Sequence, residues 1–260
     1  MTIAHWMIAA AGLAVPLFVV GSARGADEQP ETGQHAKVFE KQVEMKLNYL
    51  LYLPPDYNKD ASKKWPLMLF LHGSGERGND VNKVKIHGPP KMVELYKDSQ
   101  LAKEFIIVSP QCPDGRWWKP DELEALLDDT AEHYRIDADR VYLTGLSMGG
   151  FGTWDLAANA PKRFAAIVPI CGGGNTAMAR RIKDLPIWVF HGDADPAVPV
   201  QKSDEMVKAL KDLNADVTYT RYPGVGHDCW TQTYNNPELY KWLLSHKRGE
   251  TKAAEATPGK

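Results

Sequence analysis

Three short stretches hold residue types that do chemistry together. The first is Gly145-Leu146-Ser147-Met148-Gly149, within VYLTGLSMGGFGTWDLAA. A β-branched, apolar run precedes it and a helix-like run follows. A G-x-S-x-G between a strand and a helix is the setting of a nucleophile elbow, a sharp turn that lifts a serine above a sheet. Strand and helix backbones converge there, so small neighbours are needed, and Gly145, Gly149 and Gly150 supply them. A serine that only capped the helix would not require them. At a helix N-terminus, Ser147 would also gain from the dipole as negative charge develops.

A serine alcohol is a weak nucleophile and needs a base. The second stretch, YPGVGHDCW, places His227 after the last strand-like run, late in the chain. His72 and His191 also stand at strand ends; His35, His87, His133 and His246 lie in polar or helical context. The third stretch, HGDADPAVP, offers two carboxylates to orient the base, Asp193 and Asp195. Asp195 is the expected partner because it lies further out in the loop and precedes a proline; Asp193 is expected to serve the loop itself. The order Ser147, Asp195, His227 suits a sheet of alternating strands and helices. Two backbone donors would complete the constellation. One is the Met148 N–H; the other comes from HGSGERGND, at Ser74 or Gly75. That glycine-rich loop lacks the Lys-Ser/Thr ending of a phosphate-binding loop. Glu76 and Arg77 read equally as a charge pair and as substrate contacts. Trp117 and Trp118 in CPDGRWWKP, with Trp230 after His227, are candidate aromatic walls for a substrate.

The elements that must position these residues follow from the hydrophobic pattern. WPLMLFLHG, EFIIVSPQ, RVYLTG, FAAIVPICGGG and LPIWVFHGDAD are short, nearly continuous apolar runs, as expected of strands buried on both faces. VEMKLNYLLYLPPDY reads as one or two antiparallel strands, and DVTYTRYPG as a last strand. Between them lie helical patterns in DELEALLDDTAEHY, FGTWDLAANA, QKSDEMVKALKDLN and NPELYKWLLSHK. The alternation predicts an α/β fold with a mostly parallel central sheet, helices on both faces and no large lid domain. In such a sheet, chemistry sits at the carboxyl ends of the strands, so these loops should share one rim.

The 260 residues carry a net charge of −2, with 43% hydrophobic and 25% charged residues. No field favours nucleic acid or an anionic membrane. The first 28 residues, MTIAHWMIAAAGLAVPLFVVGSARGADE, hold an apolar run from Trp6 to Val20 and a small-x-small site at Ala23-Arg24-Gly25. This reads as a signal peptide over 1–25, against the alternative of an uncleaved anchor. Cleavage would leave a secreted or periplasmic protein without stable membrane association. Residues 26–36 read as a flexible leader, 37–247 as the catalytic domain and 248–260 as a disordered tail. Cys171 ends a strand and Cys229 lies two residues past His227, so the two are expected near each other; export would permit a bridge.

LFLHGSGERG, VYLTGLSMGGFGTW, HGDADPAVPV and GVGHDCW together resemble the α/β-hydrolase superfamily. Within it, they resemble small secreted carboxylesterases near the phospholipase/carboxylesterase and polyhydroxybutyrate-depolymerase/feruloyl-esterase families. The resemblance implies a serine ester hydrolase in which the aspartate of HGxxD, here Asp195, is catalytic. It implies no metal and no organic cofactor. The implied substrate is a small-molecule or polysaccharide-linked ester, plant cell-wall feruloyl and acetyl esters included, with no nucleic-acid partner. No long insertion separates Cys171 from Pro186, so a lipase-type lid is not expected. Two other classes stay open: a serine peptidase of the prolyl-oligopeptidase type, and a non-catalytic binding protein on the same fold.

Overall fold

The computed structural model describes residues 32–41 and 45–249. The expected signal peptide and the tail beyond residue 249 lie outside the described residues. Strands β1 (Gly33–Lys41), β2 (Met45–Leu53), β3 (Trp65–Leu71), β4 (Ile106–Pro110), β5 (Ile136–Leu146), β6 (Ala166–Ile170), β7 (Ile187–Gly192) and β8 (Val217–Tyr222) form one sheet in the order β1-β2-β4-β3-β5-β6-β7-β8. β2 runs antiparallel to β1 and β4, and every pairing from β4 through β8 is parallel. The helices are α1 (Gly88–Leu95), α2 (Gln100–Glu104), α3 (Pro120–His133), α4 (Met148–Asn159), α5 (Ala179–Ile182), α6 (Gln201–Lys211), α7 (Trp230–Tyr234) and α8 (Pro237–Leu244).

Every residue of β3, β4 and β6 is buried, which explains their unbroken apolar sequences. The edge strand β8, VTYTRY, has no buried residue and alternates with polar ones. Alternate residues of the central strands feed two cores. Leu67, Leu69 and Leu71 of β3, Val108 of β4 and Leu143 of β5 pack with α3, α4, α5 and α6 through Leu126, Trp154, Ile182 and Leu210. Met68, Phe70, Ile107, Tyr142 and Val168 face the other way, onto α1, α2, α7 and α8 through Val93, Leu101, Tyr234 and Leu239. Pro89 and Pro237 stand in the first turns of α1 and α8, where their missing N–H is no loss.

Two boundaries differ from the sequence reading. Residues 33–36, read as the end of a flexible leader, begin β1, which pairs along its whole length with β2. Its ladder is main-chain hydrogen bonding at a sheet edge, which leaves little trace in the side-chain pattern. At the other end, Arg248 is held: its N–H donates to Asp139 O at 2.8 Å and its guanidinium to the Asp139 carboxylate at 3.0 Å.

Register then sets the rim. Leu71 is level with Gly145, Gly145 with Pro169, Leu146 with Ile170, and Ile170 with Phe190. His72, Ser147 and Cys171, which follow β3, β5 and β6, and His191 near the end of β7 therefore lie at the carboxyl ends of neighbouring parallel strands.

Candidate active site

Ser147 joins β5 to α4 with φ 53° and ψ −117°, a left-handed backbone that an L-residue adopts only under constraint. The constraint is close packing. A methyl at Gly149 would lie 1.9 Å from Leu71 O, and one at Gly145 would lie 2.3 Å from Gly149 O. No side chain fits at either position, so α4 presses directly against the ends of β3 and β5. The Ser147 N–H donates to Ile170 O at 3.0 Å and lies 3.3 Å from Cys171 Sγ, which anchors the turn to β6.

His227 reaches this serine from the loop after β8. Its Nε2 is 2.9 Å from Ser147 Oγ, and its Nδ1 is 2.6 Å from Asp195 Oδ2. With Asp195 as acceptor, the ring hydrogen belongs on Nδ1, leaving Nε2 to accept the Ser147 O–H. Asp195 is buried and receives more than this one bond. Its Oδ1 accepts the N–H groups of Ala197 at 2.8 Å and Val198 at 2.9 Å. Burial pushes the Asp195 carboxyl up, but the bonds from His227, Val198 and Ala197 prevail and hold it below the usual value. Asp193 does different work: its Oδ1 accepts the Gly224 N–H at 2.7 Å, tying the β7 loop to the segment that leads to His227.

A second imidazole, one of the strand-end histidines, also touches Asp195. His191 Nε2 faces Val198 O at 2.9 Å and Asp195 Oδ2 at 3.2 Å. Two acceptors at Nε2 place its hydrogen there, so Nδ1 accepts the Ser203 O–H at 2.7 Å. Burial holds His191 below its ordinary value, hence neutral. Nothing in the sequence pattern marked Ser203, whose approach depends on where α6 docks.

The loop of the expected second backbone donor begins beside Ser147. A methyl at Gly73 would lie 3.7 Å from Ser147 Cβ. Ser74 and Gly75 follow and are exposed, with open space around Gly75. His72 fixes the start of this loop: Nδ1–H donates to Gly73 O at 2.5 Å and Nε2 accepts the Cys112 N–H at 2.9 Å. Burial drives His72 down to about 4, so the ring is neutral. Glu76 and Arg77 form no ion pair with each other. Arg77 Nη2 lies 2.9 Å from Met148 Sδ, and its guanidinium sits 5.7 Å from the Trp117 ring.

The three tryptophans part company. Trp117 is 58% exposed and meets Phe151 edge-on at 6.1 Å. Trp118 is buried, donates Nε1–H to His72 O at 3.2 Å and so braces the loop from below. Both border a cavity of about 310 Å³ that runs along α4 to Met178 and Met206. Trp230 stands on the opposite side, 5.2 Å from the His227 ring and perpendicular to it.

Cys171 and Cys229 are both buried, and their thiols are in hydrogen-bond contact without a bridge. Cys171, Asp195 and His227 each bring one donor atom within 4.8 Å of the others. Burial, with the Cys229 thiol beside it, pushes the Cys171 thiol well up. Asp195 and His227 are hydrogen-bonded to each other.

Comparison with known proteins places this geometry. The model of the dienelactone hydrolase family matches residues 114–255. The chain is 27% identical over 194 residues to a bifunctional acetylxylan esterase/xylanase of Neocallimastix patriciarum, covering 68% of this chain and 26% of that protein. It is 33% identical to poly(3-hydroxyalkanoate) depolymerase C of Paucimonas lemoignei, over 41% of this chain and 31% of that one. The chain thus spans about a quarter to a third of these relatives. Among solved structures, a thermostable esterase superposes with TM-score 0.75 at 35% identity, covering 83% of this chain and 63% of that one. A Porphyromonas gingivalis dipeptidyl peptidase 4 superposes at TM-score 0.67 and 14% identity, a likeness of fold.

Proposed function

The chain belongs to the dienelactone hydrolase family of α/β-hydrolases, and on that premise we propose that it is a serine carboxylic-ester hydrolase acting through Ser147, His227 and Asp195. The observation that carries the reading is the hydrogen-bonded line Ser147 Oγ–His227–Asp195, with Ser147 on a strained elbow. His227 Nε2 takes the Ser147 proton as Oγ attacks the ester carbonyl. The carbonyl oxygen becomes an oxyanion beside the Met148 N–H and the Ser74–Gly75 loop, where aligned donors lower the barrier. The tetrahedral species collapses, His227 hands its proton to the departing alcohol, and an acyl group stays on Ser147. Water then enters by the same steps in reverse. Asp195, kept ionised by its bonds, stabilises the imidazolium form of His227 at both transfers.

The relatives named as acetylxylan esterase, and as a probable feruloyl esterase C of Aspergillus oryzae at 25% identity, support acetyl and feruloyl groups as acyl candidates. The cavity past Trp117 and Phe151 offers an apolar wall for an aromatic acyl group. Peptide hydrolysis is the competing reading, favoured only by fold. The deciding experiment assays residues 26–260 on p-nitrophenyl acetate, methyl ferulate and a dipeptide p-nitroanilide. Ester turnover abolished by Ser147→Ala is expected. Anilide cleavage that exceeds ester cleavage would replace this reading with a peptidase.

A further inference from the structure

The stretch of chain that delivers His227 has few side-chain anchors. No residue between Leu210 and Cys229 is buried. Tyr219, Tyr222 and Val225 pack on the core only in part. Main-chain bonds hold the loop instead. Ala194 N–H donates to Val225 O at 3.0 Å, and Gly224 N–H donates to Asp193 Oδ1 at 2.7 Å. Both run to the loop after β7, which also carries Asp195. They place His227 against its carboxylate. Neither reaches the ends of β5 and β6, where the serine elbow stands.

Cys229 supplies that second direction. Its N–H donates to His227 O at 2.8 Å, a tight turn that makes the two residues move together. It is fully buried, and its thiol meets the thiol of Cys171. Cys171 in turn is seated against the elbow. Its Sγ lies 3.3 Å from Ser147 N, and its own N–H donates to Phe190 O at 2.9 Å. Its φ is 39°, a left-handed backbone shared among the described non-glycine residues only by Ser147 and Asn214. Such a backbone in a cysteine is held by its surroundings. The same Sγ lies within 4.8 Å of a carboxylate oxygen of Asp195 and a ring nitrogen of His227. A ring therefore closes: Ser147 N–H, Cys171, Cys229, the main chain of His227, and the reacting bond from His227 Nε2 back to Ser147 Oγ at 2.9 Å.

We propose that Cys171 and Cys229 are positioning residues whose thiol–thiol contact sets the distance from His227 to Ser147, an inference that rests on Ser147 as nucleophile and His227 as base. Neither thiol touches substrate, since both are sealed in the interior. They act through the two residues that do react. Proton transfer is sensitive to this spacing: a misplacement of about 1 Å costs on the order of a hundredfold in rate. The β7 loop fixes His227 to Asp195, the thiol pair fixes it to Ser147, and the line of three is then determined from both sides. Sulfur suits the place. The pair lies among Leu146, Ile170, Phe190 and Tyr234, where a thiol is buried as a small apolar group and still makes a weak directional contact.

The test is a double-mutant cycle in the full chain. Cys229→Ala deletes one thiol. Cys171→Gly deletes the other and suits the φ of 39°, so it adds no backbone strain. Each is expected to lower kcat on p-nitrophenyl acetate by about tenfold while KM stays within about twofold. The double variant should fall no more than about threefold below the slower single one, because one contact is lost in all three. Cys229→Ser keeps a hydrogen-bonding atom and should return to within about threefold of wild type. Urea melts run alongside, so that rates are read on folded protein. Unchanged kcat, a loss confined to KM, or losses that multiply to about a hundredfold would each overturn the proposal. So would a Cys229→Ser variant as slow as Cys229→Ala, which would leave the thiol a space-filling role. A fluorophosphonate probe reads the same geometry without an ester. Ser147 Oγ bonds to phosphorus, the P–F bond breaks, fluoride leaves and His227 takes the serine proton. Its second-order rate should follow the same ranking. If no ester is cleaved but this ranking appears, the ester reading fails and the positioning role stands. If esters are cleaved and neither rate responds to the thiols, the positioning role alone fails.

Discussion

Two serine–imidazole pairs meet on one carboxylate oxygen. Ser147–His227 ends on Asp195 Oδ2 at 2.6 Å, and Ser203–His191 ends on the same atom at 3.2 Å. In both, one ring nitrogen faces a serine hydroxyl and the other faces Asp195. The inner pair has further partners: His191 Nε2 also faces Val198 O at 2.9 Å, and Ser203 Oγ also donates to Gly172 O at 3.1 Å. They differ in access and in backbone. The Ser203 and His191 side chains are sealed in the interior, with His191 0% and Ser203 1% exposed. Ser203 rests in the regular helix α6, whereas Ser147 projects from a strained elbow, and the His227 side chain keeps 23% of its surface open. A serine–histidine–aspartate line is not by itself a nucleophile. Reaction also needs a route for substrate and space for a tetrahedral carbon, and only the elbow provides both. The buried pair holds Asp195 in place from behind.

The largest contrast should come from the two serines. Ser147→Ala is expected to lower ester turnover by about 10⁴-fold or more, since members of such a line act as a unit. Ser203→Ala should lower it less than tenfold while reducing stability by about 1 kcal/mol through the lost His191 bond. Steady-state rates beside urea melts measure both. A ranking in which Ser203→Ala is the more damaging for rate would put the chemistry in the interior pair.

The two loop acids, Asp195 and Asp193, should also differ. Asp195→Asn should cost about 10⁴-fold in kcat, because an amide presents the wrong group to His227 Nδ1. Asp193→Asn disturbs only the bond from the Gly224 N–H and should cost less than tenfold. Equal effects in folded proteins would mean that the loop, and not the Asp195 carboxylate, orients His227.

His191→Gln separates support from chemistry. It is expected to destabilise the fold by roughly 1–3 kcal/mol, by leaving buried partners unpaired, with a smaller loss of turnover than His227→Gln. Rates measured well below the melting temperature check this; matching losses for the two variants would show that His191 is more than a brace.

A last effect, graded with pH, is expected on acid stability. In the native state His72 binds a proton only near pH 4, against an ordinary value of 6.5. The unfolded chain therefore takes up the proton first, and stability is lost as pH falls through that interval, by roughly 3 kcal/mol from this ring. His191 is shifted in the same direction and adds to the slope. Asp195 acts lower: its depressed carboxyl stabilises the fold above the ordinary aspartate range, and that contribution disappears only in stronger acid. Denaturant midpoints from pH 7 to 4 should decline in wild type and decline less in His72→Gln. An unchanged slope would place the titration elsewhere.

The α/β alternation was legible along the chain because a strand covered on both faces has to be apolar throughout, and seven of the eight strands carry an apolar run or an alternation. The elbow was legible for a related reason. Its demand for glycine is local, imposed by backbones a few residues apart, as the 1.9 Å approach at Gly149 makes plain. Asp195 and His227 could be picked out because each follows a strand, and parallel strands deliver their ends to one rim. What the chain order did not reveal is every relation that depends on the rank of strands and the docking of helices. β4 lies outside β3, and α7 follows the His227 loop onto the α1 face, so Glu76, His87, His227 and Trp230 become neighbours although 154 positions separate the first from the last. Trp117 and Trp118 are adjacent and identical in type, yet one faces solvent and the other braces His72. β1 escaped notice because its stabilisation is main-chain pairing. Local sterics and burial leave their record in residue type and spacing; which distant side chains meet, and which of two serines substrate can reach, is decided only when the sheet closes its order and the helices settle on its faces.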